Sequence, residues 1–244
     1  MPKLEPVAIL CGGRGTRLSV RTESIPKALV EIGGRPILWH VISIYSGQGF
    51  SRFLLLTGYK GEQIRSWVEA ESWPGHVEVS CLDTGLDTPT GGRIKAAEEQ
   101  IGDRPFSATY ADGVADIDLA ALAEFHRDAG GIATMTVVQP ELQFGVADLG
   151  DNGLVRGFHE KPRVEGWING GFFCFEPGVF DYLAEDSVLE REPLERLAAD
   201  GQLRAFRHEG FWDCMDTYKD AVLLNDLWES GDPPWRVWSE QPAR

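Results

Sequence analysis

The sequence has few cysteines and few basic residues. Its four cysteines are widely spaced and none belongs to a C-x-x-C pair, which argues against a zinc site or a disulfide framework. Lysine and arginine together number 23, against 38 aspartate and glutamate residues, so the formal net charge is −15. A chain this acidic offers no general basic face, and we expect no binding to nucleic acid.

Long apolar runs are also missing. No stretch approaches the roughly 20 apolar residues that span a bilayer. The first residues, MPKLEP, lack the apolar segment of a signal peptide. These absences predict a cytoplasmic protein that does not bind membranes. With 244 residues, 43% of them hydrophobic, the chain is long enough to bury one large core.

Short apolar strands alternate with helical patterns along the first half of the chain. Residues 52–57 and 106–110 read as strands, whereas apolar spacing predicts helices at 37–47, 92–101 and 119–129. This alternation predicts an α/β fold with a mostly parallel, doubly wound, Rossmann-like mixed sheet covered by helices on both faces. Ligands bind such sheets at the carboxyl ends of the strands.

Shorter strands follow residue 140, and they predict a small β-rich subregion. Asp151-Asn152-Gly153 is typical of a hairpin turn between two of these strands. No repeat, linker or low-complexity run marks a second unit, so we expect one domain over residues 1–244, with halves at about 1–138 and 139–244. The tail SGDPPWRVWSEQPAR is rich in tryptophan and is expected to dock on the body or on a neighbouring subunit.

The most informative stretch follows the first predicted strand, residues 7–11. It reads GGRGTR over residues 12–17 and is followed by Arg21 and Lys27. Three glycines allow backbone N–H groups to surround an anion, while the threonine hydroxyl and the cations suit a polyphosphate. The spacing matches neither the Walker loop nor the dinucleotide-binding loop. On residue types alone, an ordinary glycine turn with exposed arginines explains this stretch equally well.

Two carboxylates are candidates for a hard cation such as Mg2+. Asp112 comes directly after the apolar strand FSATY, and Asp216 follows the segment GFWDCM. The residues leave other readings open. An Asp-Gly pair is often a simple turn, Asp213 is a second carboxylate in the same segment, and Asp216 before Thr217 is equally suited to cap a helix.

GGRGTRL followed by PKALVEIGGRPILWH resembles the signature of the sugar-1-phosphate nucleotidylyltransferases. Further along, DTG followed by TGGR, then DGVADID, INGGFF and GFWDCMDT, is similar to the branch of that family that joins CTP to glucose 1-phosphate. The resemblance covers about residues 6–238. One departure is a shorter segment between Trp67 and Asp83 than that branch carries.

The resemblance implies a role for each motif. Arg17 and Lys27 would be the catalytic residues that hold phosphates, and Mg2+ would bind to Asp112 and Asp216. The first half would bind the nucleotide through Leu10, Gly12, Gly13, Arg14, Gly15, Thr16, Arg17, Lys27, Thr90, Gly91, Arg93 and Asp112. The second half would bind the sugar phosphate, together with Gly113, through Glu160, Lys161, Asn169 and Gly170.

The function implied is nucleotidylyl transfer from a nucleoside triphosphate, with CTP favoured, to a sugar 1-phosphate, with glucose 1-phosphate favoured. A homo-oligomer is also expected. A uridylyl- or thymidylyltransferase remains the alternative, since it would keep the same phosphate and metal groups. A non-catalytic ligand-sensing relative should have lost a cation or a carboxylate, yet Lys27, Asp112 and Asp216 are all present.

Overall fold

A seven-stranded mixed sheet forms the centre of the protein. The structure is a computed structural model that describes residues 4–15, 18 and 24–238. In the described part of the chain the strands are β1 Val7–Leu10, β2 Glu31–Ile32, β3 Arg35–Pro36, β4 Arg52–Thr57, β5 Glu78–Asp83, β6 Phe106–Tyr110, β7 Gly113–Ala115, β8 Ala133–Val138, β9 Val146–Leu149, β10 Val155–His159, β11 Ile168–Phe175, β12 Leu203–Arg207 and β13 Trp212–Cys214.

The central sheet has the strand order β12-β8-β11-β6-β1-β4-β5. Strands β6, β1, β4 and β5 pair in parallel, as do β12 and β8. Strand β11 runs antiparallel to both of its neighbours, β6 and β8. The predicted mixed, mostly parallel sheet is therefore confirmed.

Helices cover both faces of this sheet. Those described are α1 Ile37–Gly47, α2 Gly61–Ala70, α3 Thr90–Ala96, α4 Glu98–Ile101, α5 Leu119–Ala129, α6 Glu192–Ala199 and α7 Tyr218–Glu229, with short 3-10 turns at Lys27–Leu29, Asp151–Gly153 and Pro177–Tyr182. Val7 and Ile9 of β1 pack in a core with α1, whereas Ala8 and Leu10 pack in a second core with α3 and α6. Because side chains alternate between the two faces of a strand, the buried strand β1 contributes to both cores. None of the helices in the described ranges is long and apolar enough to cross a membrane.

Most predicted elements lie where the sequence places them, with one clear difference. The helix predicted over residues 92–101 is two helices, α3 and α4, separated at Ala97, whose ψ of 0° departs from helical geometry. The first of them begins at Thr90, two residues earlier than predicted, because Pro89 is extended and ends the preceding loop. Helices α1 and α5 have the predicted bounds.

The β9–β10 hairpin forms an arm beside the central sheet. Its turn contains the predicted Asp151-Asn152-Gly153, and both Asn152 and Gly153 have positive φ, as a tight hairpin turn requires. Large apolar side chains are exposed on this arm and just before it: Phe158 in β10 is 63% exposed, and Phe144, two residues before β9, is 78% exposed.

The C-terminal tryptophans dock on the body of the same chain. Trp235 is completely buried, and its Nε1 donates a hydrogen bond to Nδ1 of His40 in α1, at 3.3 Å. The Trp228 ring covers Gly33 so closely that a Cβ there would lie 1.9 Å from it. Tail and α7 therefore hold the β2–β3 hairpin, which follows Lys27 in the chain. The sequence leaves two places for the tryptophans to dock, the body of the chain or a neighbouring subunit. In the structure they dock on the body.

Candidate active site

A cavity of about 640 Å3 opens at the carboxyl ends of β1 and β6. This is the edge at which parallel α/β sheets bind ligands. Residues from both halves of the chain line it: Leu10, Cys11, Gly12, Gly13, Gly15, Lys27, Ala28, Thr88, Pro89, Thr90, Arg93, Thr109, Tyr110, Ala111, Asp112, Gly113, Asn169, Gly170, Gly171, Glu190, Trp212, Cys214 and Asp216.

Lys27 joins two carboxylates in this cavity. Its Nζ lies 2.5 Å from Oδ2 of Asp112 and 2.6 Å from Oδ1 of Asp216. Burial alone would lower the pKa of the ammonium group, but the two carboxylates outweigh it and the pKa is raised. Lys27 is therefore held in its charged form between two anions.

Backbone pairing explains how residues so far apart in sequence meet. Asp112 lies between β6 and β7, and Asp216 follows β13, which pairs antiparallel with β7. The Met215 N–H also donates to the carbonyl of Asp112, at 2.9 Å. This small sheet brings the predicted metal ligands to one place.

The structure also separates the readings left open for Asp216. Helix α7 is capped by Thr217, whose hydroxyl accepts from the Asp220 N–H while the Asp220 carboxylate accepts from the Thr217 N–H. Asp216 itself pairs with Lys27. The other candidate, Asp213, accepts a hydrogen bond from the Cys214 N–H, and burial raises its pKa to about 6.

The chemistry of this cluster fits a divalent cation. Asp112 and Asp216 already share one positive charge, the ammonium group of Lys27. Within the described ranges, no group of three or more His, Cys, Asp or Glu side chains is arranged to hold a metal. Mg2+ commonly takes one or two protein carboxylates and completes its shell with water and substrate phosphate oxygens. Two aspartates therefore suit Mg2+ that arrives with a phosphorylated substrate.

Arg93 ties the glycine loop to the strand ends. It is only 4% exposed, and its guanidinium donates to the carbonyls of Gly12, Thr57, Gly85 and Leu86 and to the hydroxyl of Thr84. A Cβ at Gly12 would lie 2.1 Å from this side chain, so only glycine fits there. Its predicted contact with a nucleotide stays a prediction; the structure gives it a positioning role.

Gly13 and Gly15 of the loop also line the cavity, whereas Arg14 does not. The Arg14 guanidinium pairs with Asp87 at 2.7 Å and lies over the Tyr59 ring. Gly13 has open space around its Cα, and Gly15 has a φ of +60°. The predicted residues Thr16 and Arg17, and also Arg21, lie outside the described residues.

The corner formed by the start of α3 is supported by residues 184–191, which the sequence reasoning missed. The Thr90 hydroxyl donates to Glu190 at 2.6 Å and accepts from the Leu189 N–H at 2.9 Å. Gly91 packs so closely on Ser187 that a Cβ would lie 2.5 Å from its Oγ. Glu190 occurs in the sequence LEREP, which resembles the polar first turn of a helix. No signal in the sequence therefore identifies Glu190 as a cavity residue.

The predicted sugar-phosphate residues separate into two groups. Gly113, Asn169 and Gly170 line the cavity, and the Asn169 side chain reaches the Tyr110 hydroxyl at 3.3 Å. Glu160 and Lys161 are exposed at the base of the β9–β10 arm and are not among the lining residues. The structure therefore does not bring these two together with the other predicted residues.

The cavity lies at the carboxyl edge of a mostly parallel sheet and is lined by glycines, a lysine and two aspartates. This combination is typical of α/β proteins that bind phosphorylated substrates. Residues 7–216 match the nucleotidyl transferase family. The chain belongs to this family, which confirms the resemblance found in the sequence.

Close relatives cover nearly the whole chain. A probable glucose-1-phosphate cytidylyltransferase from Bacillus subtilis is 43% identical over 251 residues, covering 94% of this chain and 98% of the relative. The glucose-1-phosphate cytidylyltransferase of Salmonella typhi is 42% identical over 257 residues, with the same coverage of both chains.

Solved structures support the fold. The crystal structure of HddC from Yersinia pseudotuberculosis, complexed with GMP-PN, superposes with a TM-score of 0.71 at 23% identity and covers 91% of this chain and 98% of that one. At this identity, the similarity shows the fold alone.

Proposed function

We propose that this protein transfers the cytidylyl group of CTP to glucose 1-phosphate with the help of Mg2+. Two full-length relatives that are 42–43% identical support the substrates. One observation in the structure carries the chemistry: Lys27 joins Asp112 and Asp216 within the cavity that the glycine loop also lines.

The reaction needs little chemistry from the protein beyond binding and charge neutralisation. A phosphate oxygen of glucose 1-phosphate attacks the α-phosphorus of CTP, the bond to the β-phosphate oxygen breaks, and pyrophosphate leaves with the electron pair. The attacking oxygen is already anionic at neutral pH, so no general base is required. Rate enhancement comes from alignment of the two phosphates and from cations that offset their repulsion.

Cationic side chains and backbone N–H groups in and near the cavity would bind the phosphates. The N–H groups of Gly13 and Gly15, with Arg14 and the predicted Arg17, would hold the β- and γ-phosphates. Lys27, which is positively charged and partly buried, would draw the α-phosphate and the sugar phosphate together. Asp112 and Asp216 would hold Mg2+, which supplies further positive charge for the reacting phosphates.

Glu160 and Lys161 keep their proposed contacts to the sugar phosphate only if the arm or another subunit brings them to a cavity. We retain the homo-oligomer as part of the proposal, and the exposed apolar side chains Phe144 and Phe158 are consistent with it. Sedimentation or light scattering measures the assembly directly. A cytoplasmic location also stays a prediction.

The test is pyrophosphate release with Mg2+, glucose 1-phosphate and each nucleoside triphosphate in turn. We expect CTP to give the highest kcat/KM, and Lys27→Ala to lower turnover by at least about a hundredfold. Lys219→Ala, which removes an exposed lysine of α7, is the matched control and should keep full activity. Preference for UTP or dTTP would contradict the choice of base, and an active Lys27→Ala protein would contradict the mechanism.

A further inference from the structure

Glu190 adds a third carboxylate to the residues that line the cavity, besides Asp112 and Asp216. One of its oxygens accepts from the Thr90 hydroxyl at 2.6 Å, and the other accepts from the Tyr110 hydroxyl. Thr90 begins α3, and Tyr110 ends β6, so Glu190 is anchored to two fixed elements of the site. Neither contact involves the Lys27 cluster.

The charges around the cavity determine which part of a substrate can bind beside the Glu190 carboxylate. The charged residues lining the cavity in the described ranges are Lys27, Asp112, Asp216, Arg93 and Glu190. Lys27 pairs with the two aspartates, and the Arg93 guanidinium donates its hydrogen bonds to protein carbonyls and a hydroxyl. Both proposed substrates are polyanions, so Glu190 would repel their phosphates. It must instead face a neutral part of a substrate that donates hydrogen bonds.

The carboxylate keeps acceptor capacity for such a donor. Burial, followed by the nearby charge of Glu190, raises the pKa of the Tyr110 phenol, so Tyr110 remains a donor to Glu190. A carboxylate has about four lone-pair positions, of which Thr90 and Tyr110 use two. The remaining positions are available to a ligand in the cavity.

We propose that Glu190 selects the nucleotide by accepting a hydrogen bond from the exocyclic amino group of cytosine. Glu190 directly contacts Thr90, a predicted nucleotide-binding residue, whereas it meets Asn169, a predicted sugar-phosphate residue, only through the Tyr110 hydroxyl. Cytosine presents an N–H donor at this ring position, where uracil and thymine present an oxygen acceptor that a carboxylate repels. This assignment rests on the proposed function, because it explains the choice of base in that reaction.

Glu190→Gln tests the proposal with little change in shape. The amide oxygen still accepts a hydrogen bond, but its charge is lost and its NH2 group can donate to a carbonyl oxygen. We expect the ratio of kcat/KM for CTP to that for UTP to fall about tenfold or more. Glu195→Gln, on the exposed side of α6, is the matched control and should leave the ratio unchanged. Thermal unfolding of each variant reports whether it is folded.

A substrate analogue makes the test independent of the variant's stability. The triphosphate of pyrimidin-2-one riboside lacks the amino group, so it should bind the wild-type protein about tenfold more weakly than CTP. If Glu190 accepts from that amino group, Glu190→Gln should show a smaller difference between the two ligands, because a neutral amide oxygen accepts more weakly than a carboxylate. Calorimetric binding without sugar phosphate measures both affinities.

The outcomes separate this inference from the proposed function. Equal loss of kcat/KM for CTP and UTP, with a raised KM for glucose 1-phosphate, would assign Glu190 to sugar hydroxyls and overturn the inference. An unchanged CTP preference in Glu190→Gln would overturn it as well. A wild-type protein that binds CTP better than UTP but forms no nucleotide sugar would contradict the proposed function alone.

Discussion

Replacing Lys27 with methionine removes the ammonium group that joins Asp112 and Asp216 across the cavity. The variant keeps an unbranched apolar side chain out to Cε but leaves two aspartates beside each other with no shared cation. Two short charge-assisted hydrogen bonds are lost, at 2.5 and 2.6 Å. The Lys27 side chain is 16% exposed and the aspartates are 24% and 36% exposed, so water screens part of the repulsion.

The expected cost is therefore at the low end for a broken buried ion pair, about 3 kcal/mol of unfolding free energy. Mg2+ should restore most of it, because a divalent ion can replace the ammonium group between the carboxylates. A ligand at a hundredfold excess over its dissociation constant stabilises the folded state by about 2.7 kcal/mol. Stability recovers in Mg2+, but turnover should stay at least about a hundredfold below that of the wild type.

Urea unfolding in EDTA and in saturating Mg2+ measures both effects on wild-type and Lys27→Met protein. Lys219→Met on α7 controls for loss of a lysine at an exposed site. The reasoning is refuted if Lys27→Met unfolds at the wild-type urea concentration in EDTA and gains nothing from Mg2+. That result would mean that the aspartates neither repel each other nor bind the ion.

Two further predictions concern residues that hold the site in place. Arg93→Ala leaves several buried carbonyl groups without a donor and should lower the unfolding free energy by about 3 kcal/mol or more, measured by urea unfolding; an unchanged midpoint would argue against the positioning role. Burial lowers the pKa of His40 from 6.5 to about 4, so the unfolded chain binds a proton between these values that the folded protein does not. Unfolding free energy should then fall as pH falls through this window, by up to about 3 kcal/mol from His40, and His40→Gln should flatten the decline measured by denaturant titration at each pH. His126, whose pKa burial also lowers to about 4, keeps part of the slope in that variant.

Prediction from the sequence succeeded where the local pattern of apolar residues matches the burial of the same residues in the fold. Helix α1 and strands β4 and β6 have the bounds that apolar spacing indicates, because each is buried along a continuous face or on both faces. Asp112 is a candidate because it follows a predicted strand, whereas the resemblance to a known family singles out Lys27 and selects Asp216 over Asp213. The structure places these three residues within hydrogen-bonding distance.

The remaining features depend on contacts between distant segments that no local pattern encodes. Glu190 reaches the cavity because residues 184–191 pack on the glycines of α3, and Arg93 is buried because it binds carbonyls of three separate segments, the end of β4 and two loops. Glu160 and Lys161 occur in a recognisable motif, but their position depends on where the β9–β10 arm extends. Spacing along the chain does not determine any of these distances.

The burial of Trp235 against His40 has a consequence for the order of folding. The two side chains are separated by 195 residues in sequence, yet Trp235 belongs to the core that includes β1 and α1, and its ring contacts His40 of α1. Closing a loop of that length has an entropic cost before any contact offsets it, and such long-range contacts slow folding. Strands β1 and β4 and helix α1 can pack early, but the side of α1 at His40 and the β2–β3 hairpin at Gly33 stay uncovered until α7 and the tryptophans have been made. During synthesis, this core therefore stays open on one side until residue 235 has been made, and chaperones and proteases can act on the exposed apolar surface for that time.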